Sequence, residues 1–190
     1  GHVDAFTLSE AWGAEDIFLL NQDAYLADDA VEMAVRFLES RNNLALVQMC
    51  LKLPDGRPHS FGNALHFLGF GFTLVHKEPY LTLNDKDDAL PMFYASGAAV
   101  MVRRDVVNKI GGLFDPDYFL YHEDTDLSWR ARLAGYEIGF AEDSVAFHRY
   151  EFSRSIQKFY WMERNRHITN LTCYKWLTII LIAPAVIVME

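Results

Sequence analysis

Between Phe114 and His148 the chain reads FDPDYFLYHEDTDLSWRARLAGYEIGFAEDSVAFH, in which a carboxylate cluster opens a stretch of helical spacing and a histidine closes the strand that follows. An acid at a helix start and a downstream histidine can converge on one divalent cation and one hydroxyl nucleophile. Upstream, Leu19 to Leu26 reads LLNQDAYL and sets an Asn-x-Asp at the end of a strand.

The elements around these motifs alternate. Asp16 to Leu20 is a short apolar strand, Asp28 to Ser40 has helical spacing through Val31, Ala34, Val35 and Leu38, and Leu44 to Leu53 is strand-like again. This β-α-β order predicts parallel strands with a crossover helix, with Asp28 as the helix N-cap and Pro54-Asp55-Gly56 as a turn. His59 to Pro91 is irregular, contains the polar cluster NDKDD, and reads as a surface excursion lining a site.

Met92 to Val102 reads as a buried strand with Ser96-Gly97 inside it, where a glycine marks close approach of backbone or ligand. Arg104 to Ile110 is a short helix ended by Gly111-Gly112, and Thr125 to Leu133 a helix closed by Gly135. Strands are predicted at Tyr136–Ala141 and Ser144–Phe147, followed by a long amphipathic helix from about Ser153 towards Cys173.

With 190 residues, 51% of them hydrophobic, the chain can bury one sizeable core. Its net charge of -9 argues against duplex nucleic acid as a partner, since phosphate binding needs a concentrated basic surface. The charge is uneven. Arg149, Arg154, Lys158, Arg164, Arg166 and Lys175 face only Glu151 and Glu163 in a net-positive stretch that leads into WLTIILIAPAVIVM, Trp176 to Met189. Basic residues before an apolar run predict association with the cytoplasmic face of a membrane. The run is shorter than the ~20 residues that span a bilayer, so it reads either as a truncated or surface-lying membrane segment or as a buried helix. Cys50 and Cys173 have neither zinc spacing nor a disulfide framework and read as apolar fillers of a reducing compartment. Gly1 to Gly13 lacks the basic start and apolar core of a signal peptide. The expected division is a catalytic region over 1–150, a basic helix over 151–175 and an apolar segment over 176–190.

NQDAYL, then ASGAAVMVRRDVVNKIGGLFDPDYFLYHEDTDLSWRARLAGYEI, then VAFH and ERNR, in that order, resemble family 2 of the glycosyltransferases, in particular its rhamnosyltransferase-like branch. The resemblance implies a GT-A fold, an α/β architecture with a Rossmann-like mixed sheet and flanking helices. It also implies a metal-dependent hexosyl transfer from a nucleotide sugar, UDP- or dTDP-linked, to a surface polysaccharide or lipid-linked glycan, with inversion at the anomeric carbon.

The family's Asp-x-Asp falls on Asn21 and Asp23, and its second metal ligand on His148. An oxygen-bound cation neutralises a departing diphosphate, and imidazole suits Mn²⁺ better than Mg²⁺. The family's general base falls on Asp124, the last residue of HED. Glu123 is expected to position acceptor or base, and Asp126 to favour the helix start through its dipole. Ser96 and Gly97 resemble the floor of an acceptor pocket. Arg130 is either a substrate contact or the i,i+4 partner of Asp126, and Arg164 approaches either the diphosphate or anionic lipid. Trp129, Tyr160 and Trp161 read as core or membrane-interface aromatics.

In the family, elements that hold the nucleotide base precede the Asn-x-Asp motif, which this chain reaches by residue 21. The sequence therefore reads as the later part of a longer enzyme, inactive alone, or as a shortened protein with a vestigial site. Two rivals follow: a non-catalytic, membrane-associated glycan-binding or assembly module, and a metal-dependent phosphoester hydrolase, which needs a denser set of His and Asp.

Overall fold

The computed structural model describes residues 13–74, 92–149 and 155–189. The NDKDD cluster, Glu151, Arg154 and nearly all of Gly1 to Gly13 lie outside the described residues. Strands β1 (Asp16–Leu20) and β2 (Ala24–Leu26) precede helix α1 (Ala30–Glu39), β3 (Leu44–Lys52), β4 (Pro58–Ser60), β5 (Asn63–Leu65) and β6 (Gly71–Thr73). Then come β7 (Ala99–Arg103), α2 (Arg104–Lys109), α3 (Glu123–Leu133), β8 (Glu137–His148), α4 (Ile156–Cys173) and α5 (Trp176–Met189).

The main sheet runs β1-β7-β3-β8-β2, with β4 added to β3, while β5 and β6 form a separate hairpin. Its pairing corrects the β-α-β expectation. β1 and β3 are not neighbours, because β7 lies between them and runs antiparallel to both. The parallel pair is β3 with β8, and β2 closes the edge antiparallel to β8. β3 is buried from Leu44 to Leu51, as suits a central strand covered on both faces.

One face packs Val47, Met49, Leu51 and Met101 under Ala30, Ala34 and Leu38 of α1. The other packs Leu46, Val100 and Val102 under Val106 and Val107 of α2 and Leu127 and Ala131 of α3. The expected apolar face of α1 is rotated: its buried residues are Ala30, Ala34 and Leu38, spaced i, i+4 and i+8, and Val31 is exposed. The cap position belongs to Asp29, not Asp28, because the first helical bond runs from the Met33 N–H to the Asp29 carbonyl, 3.0 Å.

Three further expectations change. The strand expected from Met92 begins only at Ala99: Phe93 and Tyr94 make a single bridge to Asn63 of β5, and the amides of residues 95–98 then bond to side chains rather than to a neighbouring strand. The two strands expected after Gly135 are one, β8, whose register against β3 skips from Ala141 to Val145. Buried Ser144 in that irregularity donates to the carbonyl of Ala30 at 2.6 Å and ties β8 to α1. Helix α4 is not amphipathic in the expected sense: it buries Asn165, Arg166, Thr169, Asn170 and Cys173 while Ile156, Phe159, Tyr160 and Leu171 are exposed.

Gly135 does close α3. It adopts φ +89°, its N–H bonds to the Arg132 carbonyl, and that of Tyr136 reaches back to Ala131, the double bond of a Schellman end. Cys50 and Cys173 are both buried and unbridged. Helix α5 has no buried residue, and among the described residues no helix is long and apolar enough to cross a membrane.

Candidate active site

The loop ahead of β7 is held by side chains. Its four successive amides donate in turn: Ala95 to Oγ of Ser128, Ser96 to Oε1 of Gln48, Gly97 to Oδ2 of Asp124, and Ala98 to Oγ of Ser96. Gln48 sits fully buried in central strand β3, and its amide also donates to Ser60 at 3.1 Å and accepts from Asn63 at 2.7 Å. A buried amide with all these partners fixes the loop that faces the first turn of α3.

Asp124 is enclosed there. Its Oδ1 accepts from the Thr125 N–H at 2.7 Å and its Oδ2 from Gly97 at 3.1 Å. Burial raises its pKa, against the pull of these donors. Burial and then the Asp124 charge push Glu123 up to about 7. Glu123 Oε2 and His122 Nδ1 are buried without a hydrogen-bond partner among the described residues. His122 is brought down to about 4 by burial first and Arg166 second, so it is neutral near pH 7.

The approach to this helix is strained. Tyr121 and His122 have φ of 69° and 66°, two consecutive left-handed residues with side chains. Helix α4 braces them: buried Asn165 donates to the carbonyls of Leu120 and Tyr121 at 2.8 and 2.7 Å.

At the end of the sheet where β1 and β8 finish and β7 begins, β2 pairs with β8 so that Ala24 lies opposite His148. Asp23 Oδ1 is therefore 3.2 Å from Nε2 of His148, with His148 buried and Asp23 45% exposed. That separation is an ion-pair distance, and it also lies close to the ~3 Å between adjacent ligands each about 2.1 Å from one ion, so the two side chains are near enough to share a divalent cation. Among the described residues no group of three or more His, Cys, Asp or Glu could hold a metal. Asn21 is exposed, and its main chain connects the two halves of the site, since its N–H donates to Ala98 O and its carbonyl accepts from Ala24 N–H, both at 3.0 Å.

The profile of the glycosyl transferase family group 2 matches residues 17–186. The chain belongs to this family. Its mixed α/β sheet with flanking helices matches those of GT-A glycosyltransferases. One similar structure is GalNAc-T7 with UDP, GalNAc and Mn²⁺, at TM-score 0.63 and 13% identity over 90% of this chain and 34% of that one. Another is the mannosyltransferase PcManGT from Pyrobaculum calidifontis in complex with GDP-Man and Mn²⁺, at TM-score 0.51 and 13% identity, covering 99% of this chain and 59% of that one. The chain thus spans about a third of one structure's length and just under three fifths of the other's. No curated protein sequence matches it.

Within this family member the residues singled out by sequence fall into two groups. Gly97 meets Asp124 at the start of α3, where Glu123 adjoins it, while the neighbouring Ser96 bonds to Gln48 and Ala98, and Asp23 meets His148 beside β2. Arg130 lies apart: it donates to Asp126 at 2.7 Å and to the carbonyls of Ile110, Gly112 and Leu113, which makes it a strut of the loop before α3. Arg164 donates to the Asp117 carbonyl and to Asn165 Oδ1 and stacks over Trp161. Trp129 is buried against Phe93 and Tyr174. Sequence reasoning missed Gln48, Asn165 and His59. The His59 ring packs edge-on against His148 with centroids 5.6 Å apart, and burial, then His148, lowers its pKa. His59 lay in the irregular segment and the two amides inside a strand and a helix, where only three-dimensional partners distinguish them.

Proposed function

We propose that this chain is the catalytic portion of a metal-dependent, inverting glycosyltransferase that moves a sugar from a nucleoside diphosphate donor to a glycan hydroxyl. The observation that carries the reading is the single loop, residues 95–98, that bonds Asp124 on one side and the Asn21 turn of the Asp23–His148 pair on the other. Support comes from the family and from two similar structures, one holding UDP with Mn²⁺ and the other GDP-Man with Mn²⁺.

In this reading Asp23 and His148 hold the cation, which when bound offsets charge on the diphosphate. Oδ2 of Asp124 accepts one protein bond and keeps a lone pair for the acceptor hydroxyl. As that hydroxyl oxygen bonds the anomeric carbon, its proton passes to Asp124 and the bond to the diphosphate breaks. Gly97 and Thr125 keep the carboxylate aimed, and Glu123 lies beside it as an acceptor-positioning group.

Rhamnose from dTDP-rhamnose is the finer donor proposal and a surface polysaccharide or lipid-linked glycan the acceptor proposal, both from the motif resemblance. The apolar helix α5, which has no fully buried residue, supports a site of action at a membrane surface, at its cytoplasmic face.

Titration of UDP, dTDP and GDP with and without Mn²⁺ tests the reading. Mn²⁺-dependent binding that disappears in Asp23→Ala and His148→Ala is expected. Binding of glycan without any such nucleotide would instead make this a non-catalytic module, and release of inorganic phosphate would make it a hydrolase.

A further inference from the structure

Helix α4 turns its polar residues inward, and they reach two separate places. Arg166 Nη1 and Asn170 Nδ2 donate to the carbonyl of Leu68 at 3.0 and 2.9 Å, in the turn before β6. Asn165 points the other way, to the carbonyls of Leu120 and Tyr121. Its orientation is fixed from behind, because Arg164 Nη1 donates to Oδ1 of Asn165 and to the Asp117 carbonyl, each at 2.8 Å. A flipped amide would set an acceptor against two carbonyls.

An asparagine is a poor helix former, and a buried amide costs stability unless every group finds a partner. Both hydrogens of Nδ2 go to consecutive peptide planes, those on either side of Tyr121. These planes set the left-handed conformations of Tyr121 and His122. The His122 carbonyl then accepts the first helical bond of α3, from the Asp126 N–H at 2.8 Å. Glu123 and Asp124 lie within that bonded turn, so the side chain of Asn165 holds the turn from which both carboxylates project.

We propose that Asn165 is a positioning residue for sugar transfer, acting through the Tyr121–His122 turn on Glu123 and Asp124. The proposal rests on the transferase reading given above. It assigns Asn165 no contact with substrate and no part in donor or cation binding, which lie with Asp23 and His148.

The natural protein separates these roles. Asn165→Asp keeps the shape and removes both donors. Asn170→Ala removes an amide of the same helix that holds only the Leu68 turn. N165D is expected to lower kcat about 100-fold, the scale of a misplaced catalytic group, while Mn²⁺-dependent diphosphate affinity and donor KM stay at wild-type values. It is also expected to move the pH profile of transfer, because the burial of Glu123 changes with the turn. N170A is expected to lower the melting temperature without either effect.

Wild-type kcat and pH profile in N165D overturn the proposal, as does a fall in kcat that merely tracks melting temperature across N165D and N170A. If N165D does not fold, Asn165→Ser, too short to reach both carbonyls, is read by the same measurements and the same criteria. Absence of transfer and of diphosphate binding in the wild type sinks the functional reading itself, which is a different result.

Discussion

The main-chain N–H of Gly97 donates to Oδ2 of Asp124 at 3.1 Å, so the loop entering β7 and the first turn of α3 share one geometry. Replacing Asp124 by Asn keeps the volume and removes the basicity. Transfer is expected to fall at least about 100-fold, because proton removal from the acceptor is lost. The new NH₂ must face either Gly97 or Thr125, donor against donor, at a cost of about 1–3 kcal/mol. Single-turnover transfer and thermal melting read the two effects separately, and near-wild-type transfer removes Asp124 from the role of base.

The neighbouring residues titrate in opposite senses. Glu123 rises from 4.5 to about 7 on folding, so the stability it contributes is complete below 4.5 and is lost as pH climbs through 7. His122 falls from 6.5 to about 4, so its contribution is complete above 6.5 and is lost as pH drops through 4. Across the overlap the two slopes oppose each other. Glu123→Gln is therefore expected to gain on the wild type in melting temperature as pH rises from 4.5 to 7. His122→Asn is expected to gain as pH falls from 6.5 to 4. Melts over a pH series check both, and parallel curves for variant and wild type contradict the burial argument.

These titrations could not be read from HED as letters, although the motif itself could. The pattern Asn-x-Asp, HED and a strand-ending histidine located both halves of the candidate site, because each acid sits at an element boundary that turn and helix signals mark. Strand order was harder. β7 inserts between β1 and β3 through pairings such as Leu19 with Val100 and Val47 with Met101, and contacts so distant in sequence leave no local periodicity. The inward polar face of α4 was misjudged for a related reason. Asn165 and Asn170 look like solvent-facing residues until the carbonyls of Tyr121 and Leu68 arrive from other parts of the chain.

Gly69 offers a test of that polar packing. It has φ +88°, and a Cβ placed there would overlap Oδ1 of Asn170 and meet Cγ of Arg166 at 3.0 Å. Gly69→Ala is expected to destabilise the fold by more than the ~1–3 kcal/mol of left-handed strain alone. Adding Asn170→Ala should relieve the overlap and leave the strain, so the double variant should lose less than the sum of the two single changes. Denaturant melts of the four proteins decide it, and strict additivity means that Gly69 and Asn170 do not press on each other.

Helix α5 buries no residue fully and exposes much of its apolar surface, with Trp176 76% exposed at its start and Leu177, Ile180, Leu181, Ile187 and Val188 exposed along it, while Ile179, Ile182 and Val186 are half-buried. Beside it, α4 exposes Ile156, Phe159 and Tyr160 on the face away from the core. Lys158 and Lys175 flank this surface in sequence, and each base near an anionic bilayer contributes about 1 kcal/mol that salt screens away. The protein is expected to sediment with anionic vesicles more than with neutral ones, with a blue shift of tryptophan emission as Trp176 leaves water. Ile180→Glu with Leu181→Glu removes two side chains worth about 1.5–3 kcal/mol each when fully buried, so vesicle affinity should drop at least about 100-fold. Because Ile180 and Leu181 are 66% and 71% exposed, the same pair should leave the melting temperature in solution unchanged. A lowered melting temperature with unaltered vesicle binding would mean that this surface packs on protein and not on lipid.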